Sequence, residues 1–352
     1  MTVKKTRVLN DRPKDLRRAA EVLKAGGLVA FPTETVYGLG ANGLDPAAVA
    51  GIFAAKGRPA DNPLILHIAD PAMLETIVRN VPDEARTLME RYWPGPLTLV
   101  FQKADTVPDE VSAGLQTVAV RMPDHPVALE LIRLAGVPLA APSANVSGRP
   151  SPTRGEEVLQ DLDGRVDGVI LGDVSAVGLE STIVDVSQRP FTLLRPGAVT
   201  LEQLREVLGP LALDPVLAGA GRCGRPRAPG MKYRHYAPDA QVVLMEGTRN
   251  EMVRLLSQVA AGKPDRVGVL STGALRRMYR QGEHPPFPFW FCWGEEEDPE
   301  GIARRIYLSL READRAGMDL VYVESLPEDG LLMAVMNRLR KAAGGRTVRW
   351  NE

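Results

Sequence analysis

The chain has few of the residues from which the commonest sites are built. Cysteine occurs only as Cys223 and Cys292 in 352 residues, too few for a disulfide scaffold or a four-thiolate zinc site, so both are read as free thiols. The four histidines, His67, His125, His235 and His284, are scattered. They form no H-x-x-x-H pair, which argues against a catalytic metal cage, and no side-chain metal ligands are expected. There is no G-x-S-x-G elbow and no G-x-x-x-x-G-K-[ST] phosphate loop. No apolar run reaches the ~20 residues that span a bilayer, and the opening MTVKKTRVLNDRPKDLRRAAEVL lacks a signal-peptide core. A cytoplasmic protein with no membrane association is expected. Charge of one sign is missing too: 43 Lys and Arg against 44 Asp and Glu leave a net charge of -1. No global basic field exists to hold long nucleic acid, and no stable direct nucleic-acid binding is expected.

What is present reads as globular: 44% apolar and 25% charged residues, in a chain long enough for two cores. Between Gly26 and Arg195 the runs GLVAFPT, PLILHI, PLTLVF, TVAVRMP, PLAAPS, DGVILG and STIVDV alternate with helical stretches and loops, an α/β pattern. DPAAVAGIFAAKGR reads as a helix capped by Asp45 with proline in its first turn, delivering Lys56 and Arg58 to the loop beyond it. Residues 209–238 are rich in glycine, proline and arginine and show no period, which marks a linker. Within it Gly219, Gly221 and Gly224 satisfy G-x-G-x-x-G, but Pro226 and Pro229 follow where a dinucleotide site needs a helix, so these are linker glycines. From Ala240 onward a second alternation of strands and helices predicts a small parallel sheet of nucleotide-fold type. The expected domains are therefore 1–208, the linker 209–238, and 239–352.

Chemistry concentrates in the first domain. FPTETVYGLG leaves a strand and sets Thr33, Glu34, Thr35 and Tyr37 in a turn, where hydroxyls would be exposed at a strand end; taken alone it reads equally as a polar turn. KGRPADNPLILHI brings Lys56 and Arg58 close together, then Asn62, then a strand with His67 near its end. Arg121 and Arg195 close apolar strands, as solvated charges or as carboxylate clamps. PSANVSGRPSPT packs Ser143, Asn145, Ser147 and Ser151 between glycine and prolines, so that backbone amides and hydroxyls can approach a ligand. Ser181 and Thr182 add hydroxyls in GLESTIVDV. Together these strand-end cations and small hydroxyl residues suit a polyanion.

In order and spacing, FPTETVYGLG, AKGRPADNPL, WPGPLT, APSANVSG, LESTIVD and LLRPG resemble the threonylcarbamoyl-AMP synthase family, and PGMKYRHYAP (229–238) resembles the linker of its long, two-domain form. The resemblance spans nearly the whole chain. It implies a YrdC-like twisted mixed sheet with helices, followed by a smaller C-terminal Rossmann-like parallel α/β domain. It also implies an enzyme that joins L-threonine, bicarbonate and ATP with Mg2+, and passes its product to a tRNA threonylcarbamoyl transfer complex. By similarity Thr35, His67, Arg121, Ser181 and the Ala141 backbone would contact threonine. Lys56, Arg58, Asn62, Thr117, Ser143, Asn145, Ser151 and Arg195 would hold ATP, with Lys56 and Arg58 catalytic. The linker would fold back so that Tyr236, with His235, completes the nucleotide pocket. The linker often starts with serine where this chain has Ala228. Two other readings stay open at this point: a module binding double-stranded RNA through the same groove, and a related carbamoyltransferase of hydrogenase maturation.

Overall fold

The computed structural model describes residues 4–217, 226–231 and 235–350. Contacts divide the chain into two compact units, the first comprising 1–147 and 151–233, the second Gly148–Pro150 and Arg234–Glu352.

The first unit is built on strands β1 Arg7–Leu9, β2 Val29–Phe31, β3 Gly38–Asn42, β4 Ile65–His67, β5 Leu97–Gln102, β6 Thr117–Arg121, β7 Leu139–Ala140, β8 Gly168–Ile170, β9 Thr182–Asp185, β10 Thr192–Arg195 and β11 Ala212–Leu213. They form one mixed sheet in the order β1-β8-β2-β3-β7-β4-β6-β5-β9-β10-β11. Every run singled out in the sequence is a strand here. Two strands carry weaker signals: β1, inside the charged N-terminal stretch, pairs parallel with β8, and β11, inside the proline-rich region, pairs parallel with β10.

The helix Pro46–Lys56 begins as its sequence implies, with the Asp45 carboxylate accepting from the N–H groups of Ala47 and Ala48 and Pro46 in the first turn. It ends because Gly57 takes φ +61°, a left-handed turn in which its N–H returns to the Phe53 carbonyl. That turn places Lys56 on the last helical turn and Arg58 just beyond it. A core of Leu16, Ala19, Leu23, Ala128, Leu131, Ile132, Phe31 and Leu139 joins the helices Pro13–Lys24 and Pro126–Ala135 to one end of the sheet.

The second unit holds β12 Gln241–Glu246, β13 Val267–Ser271, β14 Phe289–Cys292, β15 Leu320–Glu324 and β16 Thr347–Arg349, ordered β14-β13-β15-β12-β16 with every pair parallel. The parallel sheet foreseen from the alternation is present, with β16 added at its edge. Apolar residues at fourfold spacing, Ile302, Ile306 and Leu310, are buried on the helix Pro299–Arg315. Cys292 is a free thiol; Cys223 and the G-x-G-x-x-G glycines lie outside the described residues. Gly148–Pro150 joins this unit through Ala237 N–H to the Gly148 carbonyl (2.9 Å), Arg149 to Asp239 (3.0 Å) and Arg311 Nη2 to the Pro150 carbonyl (2.5 Å).

Candidate functional site

Side chains alternate faces along a strand, and residues opposite one another in a ladder share a face. His67 stands opposite Arg121 and Ile65 opposite Ala119 across β4 and β6. Val100 stands opposite Ala119, and Thr98 opposite Ile183. One face therefore carries Thr117, Ala119 and Arg121 on β6, Ile65 and His67 on β4, Thr98 and Val100 on β5, and Ile183 and Asp185 on β9. Arg195 reaches this face through a bulge: the β9–β10 register shifts between Leu193 and Arg195, bringing Arg195 opposite Ile183. Thr117 and Arg121 stand at opposite ends of β6, and a rise of about 3.3 Å per residue separates them by roughly 13 Å.

At the Arg121 end the guanidinium is 3% exposed. It donates to Thr35 Oγ1 (2.8 Å) and the Gly95 carbonyl (3.1 Å), and pairs with Glu34 Oε1 (2.6 Å). A buried charge is tolerated only when paired and bonded in this way. The hydroxyls of the 33–37 loop are not exposed, as the sequence suggested, but buried and bonded. Thr33 donates to the Val36 carbonyl (2.6 Å), and Tyr37 OH donates to the Gly172 carbonyl (3.0 Å), its pKa pushed up to about 12 by burial. His67, with Nδ1 3.3 Å from the Ile65 carbonyl, packs edge-on to Phe31. Burial, then the Arg121 charge, pushes its pKa down to about 3, so it is neutral. The Ala141 N–H is taken by the Ile65 carbonyl (3.0 Å).

Ser181 lies beside this group. Its Oγ is 2.7 Å from Thr98 Oγ1, and Arg195 donates to its carbonyl (3.1 Å) and its Oγ (3.2 Å). Gly197 is required here, since a Cβ would lie 2.3 Å from Thr182 N and 2.6 Å from Ser181 C. Ser151, fully buried, donates to Glu180 Oε1 (2.5 Å), which ties the 143–151 loop to the residue preceding Ser181.

At the other end, Lys56 is 1% exposed and donates to the carbonyls of Ser143 and of Asn145, the latter at 2.5 Å. Burial, reinforced by Arg58 and opposed by Asp161, drives its pKa well below the usual lysine value. Ser143 Oγ donates to Asn145 Oδ1 (2.6 Å), and an isolated bridge pairs Ser143 with Gly38. The KGR and SAN segments are thus in direct contact. Arg58 donates to the carbonyls of Asn62 (3.3 Å) and Pro63 (2.9 Å). Asn62 is 1% exposed, yet neither its amide N nor its amide O has a hydrogen-bond partner. Leaving such groups unpaired costs about 1–3 kcal/mol each, which marks a position shaped for something other than the fold.

The apolar centre of the site face, Ile65, Val100, Ala119, Ile183 and Leu194, is covered by Ala228 and Met231 of the linker, and Arg195 Nη1 donates to the Pro229 carbonyl (3.2 Å). Tyr236, by contrast, falls in the second unit. It holds φ +65°, packs with tilted rings against His235 and Tyr307, and lies under the Arg338 guanidinium. Sequence reasoning did not single out Thr98 or Glu180; a polar residue inside the apolar run LTLVF is the signal that could have found Thr98.

This arrangement defines an α/β protein with two polar groups suited to anionic ligands: Arg121, Arg195 and hydroxyls on the sheet face, and Lys56, Arg58 and the unbonded amide of Asn62 at the helix end and loop preceding β4. Residues 21–197 match the family described as "Telomere recombination", and residues 199–344 match "Threonylcarbamoyl-AMP synthase, C-terminal domain". The threonylcarbamoyl-AMP synthase of Pyrococcus abyssi is 47% identical over 339 residues, covering 95% of each chain. That of Bacillus subtilis is 45% identical over 342 residues, covering 97% of this chain and 96% of its own. The crystal structure of P. abyssi Sua5 complexed with L-threonine superposes with TM-score 0.90 at 45% identity, covering 97% of this chain and 98% of that one. The chain belongs to the threonylcarbamoyl-AMP synthase family.

Proposed function

We propose that the protein is an L-threonylcarbamoyladenylate synthase, a nucleotidyltransferase acting in the cytoplasm. The threonine amine and bicarbonate form a carbamate with loss of water. A carbamate oxygen then attacks the α-phosphorus of ATP, and pyrophosphate leaves. What carries the reading is the unbonded buried amide of Asn62, whose backbone carbonyl accepts from Arg58, in a chain related over nearly its full length to synthases of this name. A relative of the same architecture was crystallised with L-threonine, and no described helix is long and apolar enough to cross a membrane.

On this reading threonine occupies the Arg121 end, with Thr35, His67, Ser181 and the Ala141 backbone around it. ATP is held by Lys56, Arg58, Asn62, Thr117, Ser143, Asn145, Ser151 and Arg195. Two like charges about 4 Å apart repel by roughly 4 kcal/mol at an effective dielectric near 20, so assembling carboxylate, carbamate and triphosphate requires fixed cations. Catalysis is then positioning and charge stabilisation, with no protein nucleophile. A neutral His67 can present only a neutral ring to the amino acid, leaving Arg121 to meet its carboxylate. The carboxylates next to the nucleotide residues are single ones, Glu180 bonded to Ser151 and Asp161 acting on Lys56, and among the described residues no three acidic, histidine or cysteine side chains gather to hold a metal ion, a poor set for a resident Mg2+. Magnesium would therefore arrive on the triphosphate as part of the substrate. The unstable adenylate would pass to a tRNA threonylcarbamoyl transfer complex.

The test is mass spectrometry of incubations containing ATP, magnesium and isotope-labelled bicarbonate, with and without threonine. A labelled adenylate that requires threonine is expected. Pyrophosphate release independent of threonine, or an adenylate without the label, would refute the reaction.

A further inference from the structure

We infer that Arg227 is a positioning residue for this reaction, a latch that fixes where linker residues 228–231 lie on the site face and so holds Arg195 in place. The inference rests on the synthase reading and adds to it a residue outside the set proposed to hold threonine and ATP. Asp185 closes β9 and Asp214 follows β11, and they are only 3% and 5% exposed. Each uses one carboxylate oxygen locally: Asp185 Oδ1 accepts from Ser187 N (3.0 Å) and Oγ (2.6 Å), and Asp214 Oδ1 accepts from Val216 N (3.1 Å). The other oxygen of each faces Arg227, with Nη1 3.0 Å from Asp185 Oδ2 and Nη2 2.9 Å from Asp214 Oδ2. One planar guanidinium thus spans two buried acids, one closing β9 and one just past β11, a geometry that a lysine ammonium cannot copy.

The next residues are those that meet the site. Ala228 is fully buried and Met231 nearly so, both packed on Ile65, Val100, Ala119 and Ile183. Between them Pro229 offers its carbonyl to Arg195, which in turn holds Ser181. This anchor therefore bears on the register of a short segment whose far end meets residues proposed to hold ATP and threonine.

Removing Arg227 alone would strand two buried carboxylates near one another, and the chain could fail to fold for that reason only. The decisive variant is therefore Arg227→Met/Asp185→Asn/Asp214→Asn, which deletes the latch without leaving unpaired charge, compared with Arg227→Lys and wild type. Melting temperature, ATP affinity by titration calorimetry, and pyrophosphate release at varied ATP would be measured. The triple variant is expected to melt near wild type, to bind ATP about tenfold more weakly with KM raised to match, and to keep kcat within about twofold; Arg227→Lys is expected to show the same KM shift. Wild-type ATP affinity and KM in the triple variant would overturn the latch, as would losses in kcat that merely follow melting temperature across the set. Calorimetry reads ATP binding whether or not turnover occurs, so failure of the latch and failure of the synthase reaction are separate results.

Discussion

Replacing Lys56 with methionine separates the bonds its ammonium makes in the fold from the ATP-binding role proposed for it. In the fold, the side chain donates to the Ser143 and Asn145 carbonyls from a site with 1% exposure. Two such charge-assisted bonds are worth about 1.5–3 kcal/mol each, but the desolvation of a buried ammonium costs several kcal/mol, in line with the lowered pKa at this position. Methionine fills nearly the same volume without that cost, so the terms largely offset. Net stability should change by no more than about 2 kcal/mol, a shift of roughly 4–8 °C at most. Nucleotide handling has no such compensation. On the proposed reading, the 143–145 turn loses its anchor and the bound triphosphate loses a cation. About 2–3 kcal/mol of binding and transition-state stabilisation should go, a roughly 30- to 150-fold fall in kcat/KM for ATP. The assay is threonine-dependent pyrophosphate release with ATP varied, alongside thermal melting. A kcat/KM within threefold of wild type in a variant that melts normally would refute the role assigned to Lys56.

Two further outcomes follow from the site. His67 takes up a proton only near pH 3 in the folded chain but near pH 6.5 when unfolded, so the unfolded state binds more protons between these values and stability falls as pH drops through that window. Denaturant titrations should show this acid-side slope shrinking by up to about 1.4 kcal/mol per pH unit in His67→Gln; an unchanged slope would show that His67 is not the group responsible. Gly197→Ala would drive a methyl group into the Ser181–Thr182 backbone, and a destabilisation above about 2 kcal/mol with loss of threonine-dependent turnover is expected; a normally stable, active variant would mean that this close approach is not needed.

Much of the first unit was legible because its strands are apolar runs bounded by glycine and proline, and because Asp45, Pro46 and Gly57 punctuate one helix in the usual way. The KGR and SAN segments were assigned to one ligand only through the family resemblance, and their direct contact was not foreseen. Less legible was what the cations do at home. Lys56 and Arg58 donate to carbonyls, and which carbonyls are near depends on pairings such as Gly38 with Ser143, far apart in sequence. The β1 strand was hidden because an edge strand with one buried residue, Leu9, has no alternation to detect. The linker looked featureless for a similar reason: Ala228 and Met231 pack as single residues, without any period, while Arg227 passes for surface charge until its two acids are located.

The second unit is discontinuous, since Gly148–Pro150 belongs with 234–352 although both flanks of this tripeptide belong to the first unit. No single cut in the polypeptide can therefore excise either half intact. A truncated gene ending before residue 234 would still encode the tripeptide, stripped of Ala237, Asp239 and Arg311, which hold it here. Dissection of the protein into pieces should accordingly graft or redesign residues 148–150 rather than treat the boundary as one point along the chain.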